Sequence, residues 1–271
     1  IILFGSIDLY KASANLNLMI KAARQASRGL IRDFGEVENL QVTAKALGDF
    51  VTKADLKAEE IIYSELTESR PHYGWLGEES LSKIGKDPTR RWIVDPLDGT
   101  TNYIHGIPHW SISIALEFKS EIISAVIYDP LRDELFVAEK GVGAWLNDRR
   151  LRVSNRKNLP EMLFSTGIPF GEKPHLDLTL QEIEKLMPMC SGIRRNGSAA
   201  LDLAYVSAGR FDAFWERNLN PWDIAAGILI VKEAGGFISS IGDDKSPIET
   251  GNIIASNTEI YKKFSSIISA T

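Results

Sequence analysis

Between Trp92 and Ala138 the chain spells four strands. Residues 92–94, 112–118, 121–128 and 134–138 are rich in β-branched or alternating apolar side chains, the pattern of segments that bury at least one sheet face. Turns at Lys119 and Ser120 and at Asp129 and Pro130 separate the later strands. Gaps that short return a strand antiparallel to its predecessor, so the middle of the chain is expected to be an antiparallel meander. Helices flank it. Leu16, Ile20, Ala23, Ser27, Leu30, Ile31 and Phe34 recur at helical spacing, which predicts an amphipathic helix from Asn15 to about Phe34. Residues 49–52 read as a short extended piece. Asp55 is expected to cap a second helix running towards Glu68, ended by Arg70 and Pro71.

After about Leu151 the texture changes. Residues 163–166 and 211–215 read as strands, and 178–187, 199–208 and 223–234 as helices. Short strands follow around Phe237 and Ile253, and a last helix begins at Thr258. Alternating strand and helix implies a layered α/β half. The polar stretch 154–158 is the expected boundary. It divides an N-terminal α+β subdomain, residues 1–153, from a C-terminal α/β subdomain, residues 154–271, and the two are expected to share a cleft. The fold class is thus α+β.

The 271 residues suffice for such a pair, and 44% hydrophobic with 25% charged residues is ordinary for a water-soluble fold. A net charge of −5 argues against a general nucleic-acid binder. Cys190 is the single cysteine, which rules out an intrachain disulfide framework and fits a reducing cytoplasm. Nothing approaches a membrane-spanning length. Residues 1–4 are apolar without a basic leader region, and no function is assigned to them.

The chemistry concentrates in acidic stretches. Asp95-Pro96-Leu97-Asp98-Gly99-Thr100 follows the apolar 92–94 run. It reads as a plain Asp-Gly turn, or as two carboxylates and the Leu97 carbonyl held ready for a hard cation beside a Gly99-Thr100-Thr101 phosphate cradle. Gly77-Glu78-Glu79-Ser80 is a solvated loop, or places Glu78 beside that cation. Asn220-Pro221-Trp222-Asp223 opens a helix of small residues. Asp223 is its cap, or a ligand delivered from the second half. Ser198, after Arg194 and Arg195, caps a helix or lines a substrate-facing terminus. Glu216 is a loop acid or a hydroxyl acceptor aimed into the cleft. His105 and His109 read as structural or as lining the site entrance, and no zinc, serine-hydrolase, Walker-A or dinucleotide pattern occurs. Cys190 reads as an ordinary thiol.

Together and in this order, Gly77-Glu78-Glu79-Ser80, the stretch from Trp92 to Asn102 and Trp222-Asp223-Ile224-Ala225-Ala226-Gly227 resemble the inositol monophosphatase family, and bacterial inositol-1-monophosphatases in particular. The resemblance spans nearly the whole chain. It implies a layered αβαβα sandwich, a homodimer, and Mg²⁺-dependent hydrolysis of a small phosphorylated polyol, myo-inositol 1-phosphate, by direct water attack. It implies that Glu78, Asp95 and the Leu97 carbonyl hold a first metal, that Asp95, Asp98 and Asp223 hold a second, and that a third lies near Glu78 through waters. Mn²⁺ is an alternative ion and Li⁺ an inhibitor. Glu78 and Thr100 would activate the water, the Gly99 and Thr100 amides would bind phosphate, and Ala199 and Glu216 would contact inositol hydroxyls. Lys45 stays outside the expected site. Competing substrates are fructose bisphosphate, histidinol phosphate and adenosine bisphosphate. A different class of role is binding to RNA or the transcription machinery.

Overall fold

In a computed structural model the described residues are 12–34, 42–46, 49–169 and 174–269, without the side chains of 42–46 and 49–51. Residues 1–4 and the Lys45 side chain lie outside them. The elements run α1 (Ala14–Phe34), β1 (Val42–Ala46), β2 (Asp49–Thr52), α2 (Lys53–Ser69), β3 (Tyr73–Gly77), β4 (Asp87–Asp98) and α3 (Thr100–Ile104). Then come β5 (Ser111–Phe118), β6 (Glu121–Asp129), β7 (Glu134–Glu139), β8 (Gly143–Leu146), β9 (Arg149–Arg150), β10 (Leu163–Thr166), α4 (Leu176–Leu186) and β11 (Gly192–Arg194). The last are α5 (Ala199–Ser207), β12 (Ala213–Glu216), α6 (Pro221–Glu233), β13 (Phe237–Ser239), α7 (Pro247–Thr250), β14 (Ile253–Ser256) and α8 (Tyr261–Ser269).

The expected meander is present and wider than its sequence signal. Strands β4 to β9 form an antiparallel run, and β3 adds a parallel edge beyond β4. Alternation along β4 and β5 decides what each face meets. Trp92, Val94, Ile112 and Ile114 point to the side where Met19 and Leu30 of α1 and Ile62 of α2 pack. Ile93 and Ala115 point the other way, onto Ala200 and Leu201 of α5 and Ala225 and Ile230 of α6. The far sides of α5 and α6 cover a five-stranded sheet, where Leu203, Ile224 and Ile228 meet Phe214, Ile253 and Ala255. Outermost, Leu186 of α4 and Phe264 of α8 close over Phe164 and Trp215. The stack is helix, sheet, helix, sheet, helix. Helices α5 and α6 are apolar all round because both faces are covered.

Two local expectations are corrected. Thr52, not Asp55, caps α2: its hydroxyl accepts from the Ala54 and Asp55 amides, and Asp55 reaches back to the Thr52 amide at 2.9 Å. This reciprocal box satisfies donors that a lone Asp cap would leave open. Ile31, expected on the buried stripe of α1, is 43% exposed. The two carboxylates of 95–98 sit at the end of β4, as expected, and a bulge breaks the strand there. Asp95 pairs with Ser113 and Asp98 with Ser111, so three steps on β4 face two on β5. Pro96 falls in that bulge, where its missing amide costs no ladder bond. Among the described residues no helix is long and apolar enough to cross a membrane.

Candidate active site

The parallel pairing of β3 with β4 brings the first acids together. Gly77 lies opposite Val94, and the Glu78 amide donates to the Val94 carbonyl at 3.1 Å, so Glu78 emerges beside Asp95. The next amide, of Glu79, donates to the buried Glu59 carboxylate at 2.8 Å, which ties this loop to α2. Asp95 accepts the Leu97 amide at 2.9 Å inside the bulge. Gly99 then takes φ +100, and a Cβ there would stand 3.0 Å from the His109 carbonyl. Both facts demand glycine. The turn starts α3 at Thr100, whose hydroxyl lies 3.0 Å from the Leu97 carbonyl and 3.2 Å from Asp55 Oδ1.

The second half completes the acid set. Asp98 Oδ2 accepts the Ala200 amide at 2.8 Å and the Ser198 hydroxyl, so a carboxylate of the first sheet caps α5 of the second half. Ser198 is the expected N-cap of α5. Asp223 is the third residue of α6, not its cap. Asn220 is the cap, and its amide donates to Asp223 Oδ2 at 2.7 Å.

These acids feel one another. Burial, then the charges of Glu78, Asp98 and Asp223, push Asp95 well above the usual carboxylate range. Burial and the charge of Asp98 do the same to Asp223. Asp98 is raised to about 6 by burial, opposed by the Ser198 hydroxyl and the α5 amides. Gathering like charges out of water is costly unless a cation joins them.

That is the test of fit for Mg²⁺. Among the described residues no three His, Cys, Asp or Glu side chains are gathered closely enough to hold an ion as they stand. Their oxygens are turned into hydrogen bonds on the Leu97, Ala200 and Asn220 amides. The donor chemistry nevertheless matches: oxygens only, several carboxylates and a neighbouring carbonyl, the set a hard divalent cation takes.

Beside the acids lies a cavity of about 170 Å³, lined by Asp98, Ser198, Ala199, Asp202, Glu216 and Asp223 among others. Of the expected site residues, Asp98, Ala199, Glu216 and Asp223 meet there. Glu78, Asp95, Leu97, Gly99 and Thr100 do not line it. A Cβ on Gly167 would fall 1.8 Å from Glu216 Oε1, so only glycine lets that carboxylate lie where it does. The histidines do not line the cavity. His105 is exposed, and His109 packs its ring on Tyr205. Cys190 is half-buried, and burial raises its thiol pKa.

Sequence reasoning missed three residues. Asp55 had a complete explanation as a helix cap, and its contact with Thr100 is tertiary. Glu59 gave no signal beyond a helical carboxylate. Asp202, 2% exposed and bound to the Asn196 amide at 2.9 Å, did leave one: a lone acid inside the apolar run 199–206.

Comparison with known proteins gives the family. The Rhizobium meliloti protein named inositol-1-monophosphatase is 52% identical over 256 residues, covering 94% of this chain and 96% of that one. The Pseudomonas aeruginosa protein named Nus factor SuhB is 44% identical, covering 91% and 93%. The crystal structure of extragenic suppressor protein suhB from Bartonella henselae superposes with a TM-score of 0.91 at 52% identity, covering 94% of this chain and 98% of that one. The sequence description of the inositol monophosphatase family matches residues 12–270. A layered sandwich whose two halves bring carboxylates to one cavity, matched over nearly its whole length, makes this chain a member of the inositol monophosphatase family.

Proposed function

We propose that the chain is a Mg²⁺-dependent phosphomonoesterase that hydrolyses myo-inositol 1-phosphate to inositol and phosphate. The observation that carries this reading is the joining of Asp98 and Asp223, from opposite halves, at a cavity that also holds Glu216. Glu78, Asp95 and the Leu97 carbonyl would hold one ion, Asp95, Asp98 and Asp223 a second, and Glu78 a third through waters. Bound there, Mg²⁺ or Mn²⁺ supplies neutralisation of phosphate charge and a lowered pKa for water.

The protein's own groups do the rest. Asp55 accepts from the Thr100 hydroxyl and so sets its oxygen towards the attacking water. Glu78 takes that water's proton. The Gly99 and Thr100 amides bind phosphate oxygens, and Ala199 and Glu216 bind the polyol. Among the described residues no side chain is placed as a covalent nucleophile, so water attacks phosphorus directly, and the ester oxygen leaves on the opposite side, taking a proton from a second water. We assign the metal and phosphate motifs to residues 1–153 and closure of the cleft to 154–271, in a homodimer.

Phosphate release from inositol 1-phosphate, with Mg²⁺ and with EDTA, tests the proposal. Release that needs Mg²⁺ and falls in millimolar Li⁺ is expected. Release that persists in EDTA overturns the metal requirement, and faster turnover of fructose bisphosphate, histidinol phosphate or adenosine 3′,5′-bisphosphate overturns the substrate assignment. The relative named Nus factor SuhB favours a second, added role in contact with the transcription machinery or RNA. Retention of such a partner by a catalytically silent Asp95→Asn protein separates the two roles.

A further inference from the structure

Glu216 ends β12 at the point where one of its two neighbouring strands stops. Trp215 pairs with Thr166 on β10 and with Ile254 on β14, whereas at Glu216 the ladder to β10 has ended and Ile253 on β14 is the partner. Alternation along the strand sorts the side chains. Phe214 points to the α5–α6 layer, and Trp215 to the outer layer of α4 and α8. Glu216 returns to the inner side and lines the acid-bearing cavity. Arg217 also borders that cavity but carries its guanidinium to α4.

Both chain neighbours of Glu216 end on the same acid. Glu182 of α4 is fully buried and does not line the cavity. Its Oε2 accepts the Trp215 indole N–H at 2.9 Å and one Arg217 amino group at 2.8 Å, and its Oε1 accepts the other amino group at 2.6 Å. The Arg217 side chain is 10% exposed, and among the described residues no other ion pair is so enclosed. A charge pair out of water adds little stability over an apolar pair of the same shape. Its effect here is geometric. Two side chains that flank Glu216 and hang from one carboxylate oppose rotation of the strand end about its own axis. That rotation is the motion that would swing Glu216 out of the cavity.

We propose, resting on Glu216 as the polyol acceptor, that Glu182 is a positioning residue: by holding Trp215 and Arg217 it aims Glu216 at the substrate from the far side of the sheet. Glu182 itself touches neither substrate, metal nor phosphate. Glu216 binds the polyol in ground state and transition state alike, so loosening it raises KM and leaves kcat.

The test is steady-state kinetics of the Mg²⁺-loaded full chain on inositol 1-phosphate and on p-nitrophenyl phosphate, whose leaving group offers Glu216 no hydroxyl. Glu182→Gln keeps the shape of the side chain and gives up the ion pair. It should raise KM for inositol 1-phosphate about tenfold, the scale of one charge-assisted hydrogen bond, with kcat within about twofold. Both constants for p-nitrophenyl phosphate should stay within about twofold of the parent's. Trp215→Phe keeps the ion pair and an aromatic ring and loses the indole bond, so it decides the matter where the loss of the Glu182 charge prevents folding. It should raise the same KM about threefold. An unchanged KM for inositol 1-phosphate in the folded variants overturns the proposal. So does an equal loss of activity on both substrates in step with a lower melting temperature, which would make Glu182 structural alone. A parent chain with no preference for inositol 1-phosphate over p-nitrophenyl phosphate overturns the polyol role of Glu216 itself, and that shows before any variant is compared.

Discussion

Asp95 stands among Glu78, Asp98 and Asp223 with 2% of its surface exposed, and their charges add to burial in raising its pKa. Asp95→Asn should lower turnover by about 10³-fold, the scale for removing one charge-positioning group. The metal-free protein should melt no lower than the parent, because the change relieves repulsion with Glu78, Asp98 and Asp223. A steep fall in melting temperature with activity kept would show Asp95 to be structural. His109 makes a second prediction of opposite kind. Burial first, then the Arg132 charge, hold its pKa down to about 4, against the smaller pull of Asp129, and Tyr205 packs on its ring. A folded pKa below the unfolded value near 6.5 means full stability above that value and loss as pH falls towards 4. Relative to His109→Gln, the parent should lose up to about 3 kcal/mol between pH 7 and pH 4, read by urea unfolding at each pH. At this scale the sequence was readable where residue type alone constrains chemistry. Glu78, Asp95, Asp98 and Asp223 announce themselves as acids at strand or helix ends. Asp55 does not, since its sequence position reads as a helix cap and its partner Thr100 comes near only through folding.

Helix α5 shows how an element and the site depend on each other. Ser198 accepts the Leu201 amide at 3.3 Å and donates to Asp98, so one hydroxyl caps the helix and satisfies a buried carboxylate. Ser198→Ala should cost about 1 kcal/mol for the cap and a similar amount for the lost bond to Asp98. Denaturant unfolding should therefore show about 2 kcal/mol of destabilisation, with activity reduced but not abolished because the Ala200 amide still holds Asp98. Helices of this size were legible from periodicity and caps. Short strands were not. Strand β3 has five residues, two of them glycine, and exists because β4 lies beside it. The polar start of β4 reads as loop, yet Arg91 is held in the sheet by a two-pronged pair with Glu117 on β5. Pairing partners distant in sequence decide such segments, and local pattern does not contain them.

At the scale of the molecule, the change of texture after Leu151 marks where one sheet ends and another begins. The shared core does not show in that texture. Helices α5 and α6 belong by sequence to the second half, yet they form one face of the first sheet's core. The acids are divided in the same way, with Glu78, Asp95 and Asp98 from the first half and Asp223 from the second. An ion held by both sets, as proposed, would stabilise the folded state of both, because the unfolded chain cannot present them together. By linkage, Mg²⁺ at one hundred times its dissociation constant should add about 2.7 kcal/mol, reversed by EDTA. Scanning calorimetry should show one transition moving upward as a whole, since the two sheets share the α5–α6 layer. In Asp223→Asn the upward shift should shrink. Two transitions, with Mg²⁺ moving only the one that belongs to the first half, would mean that the acids do not act across the cleft.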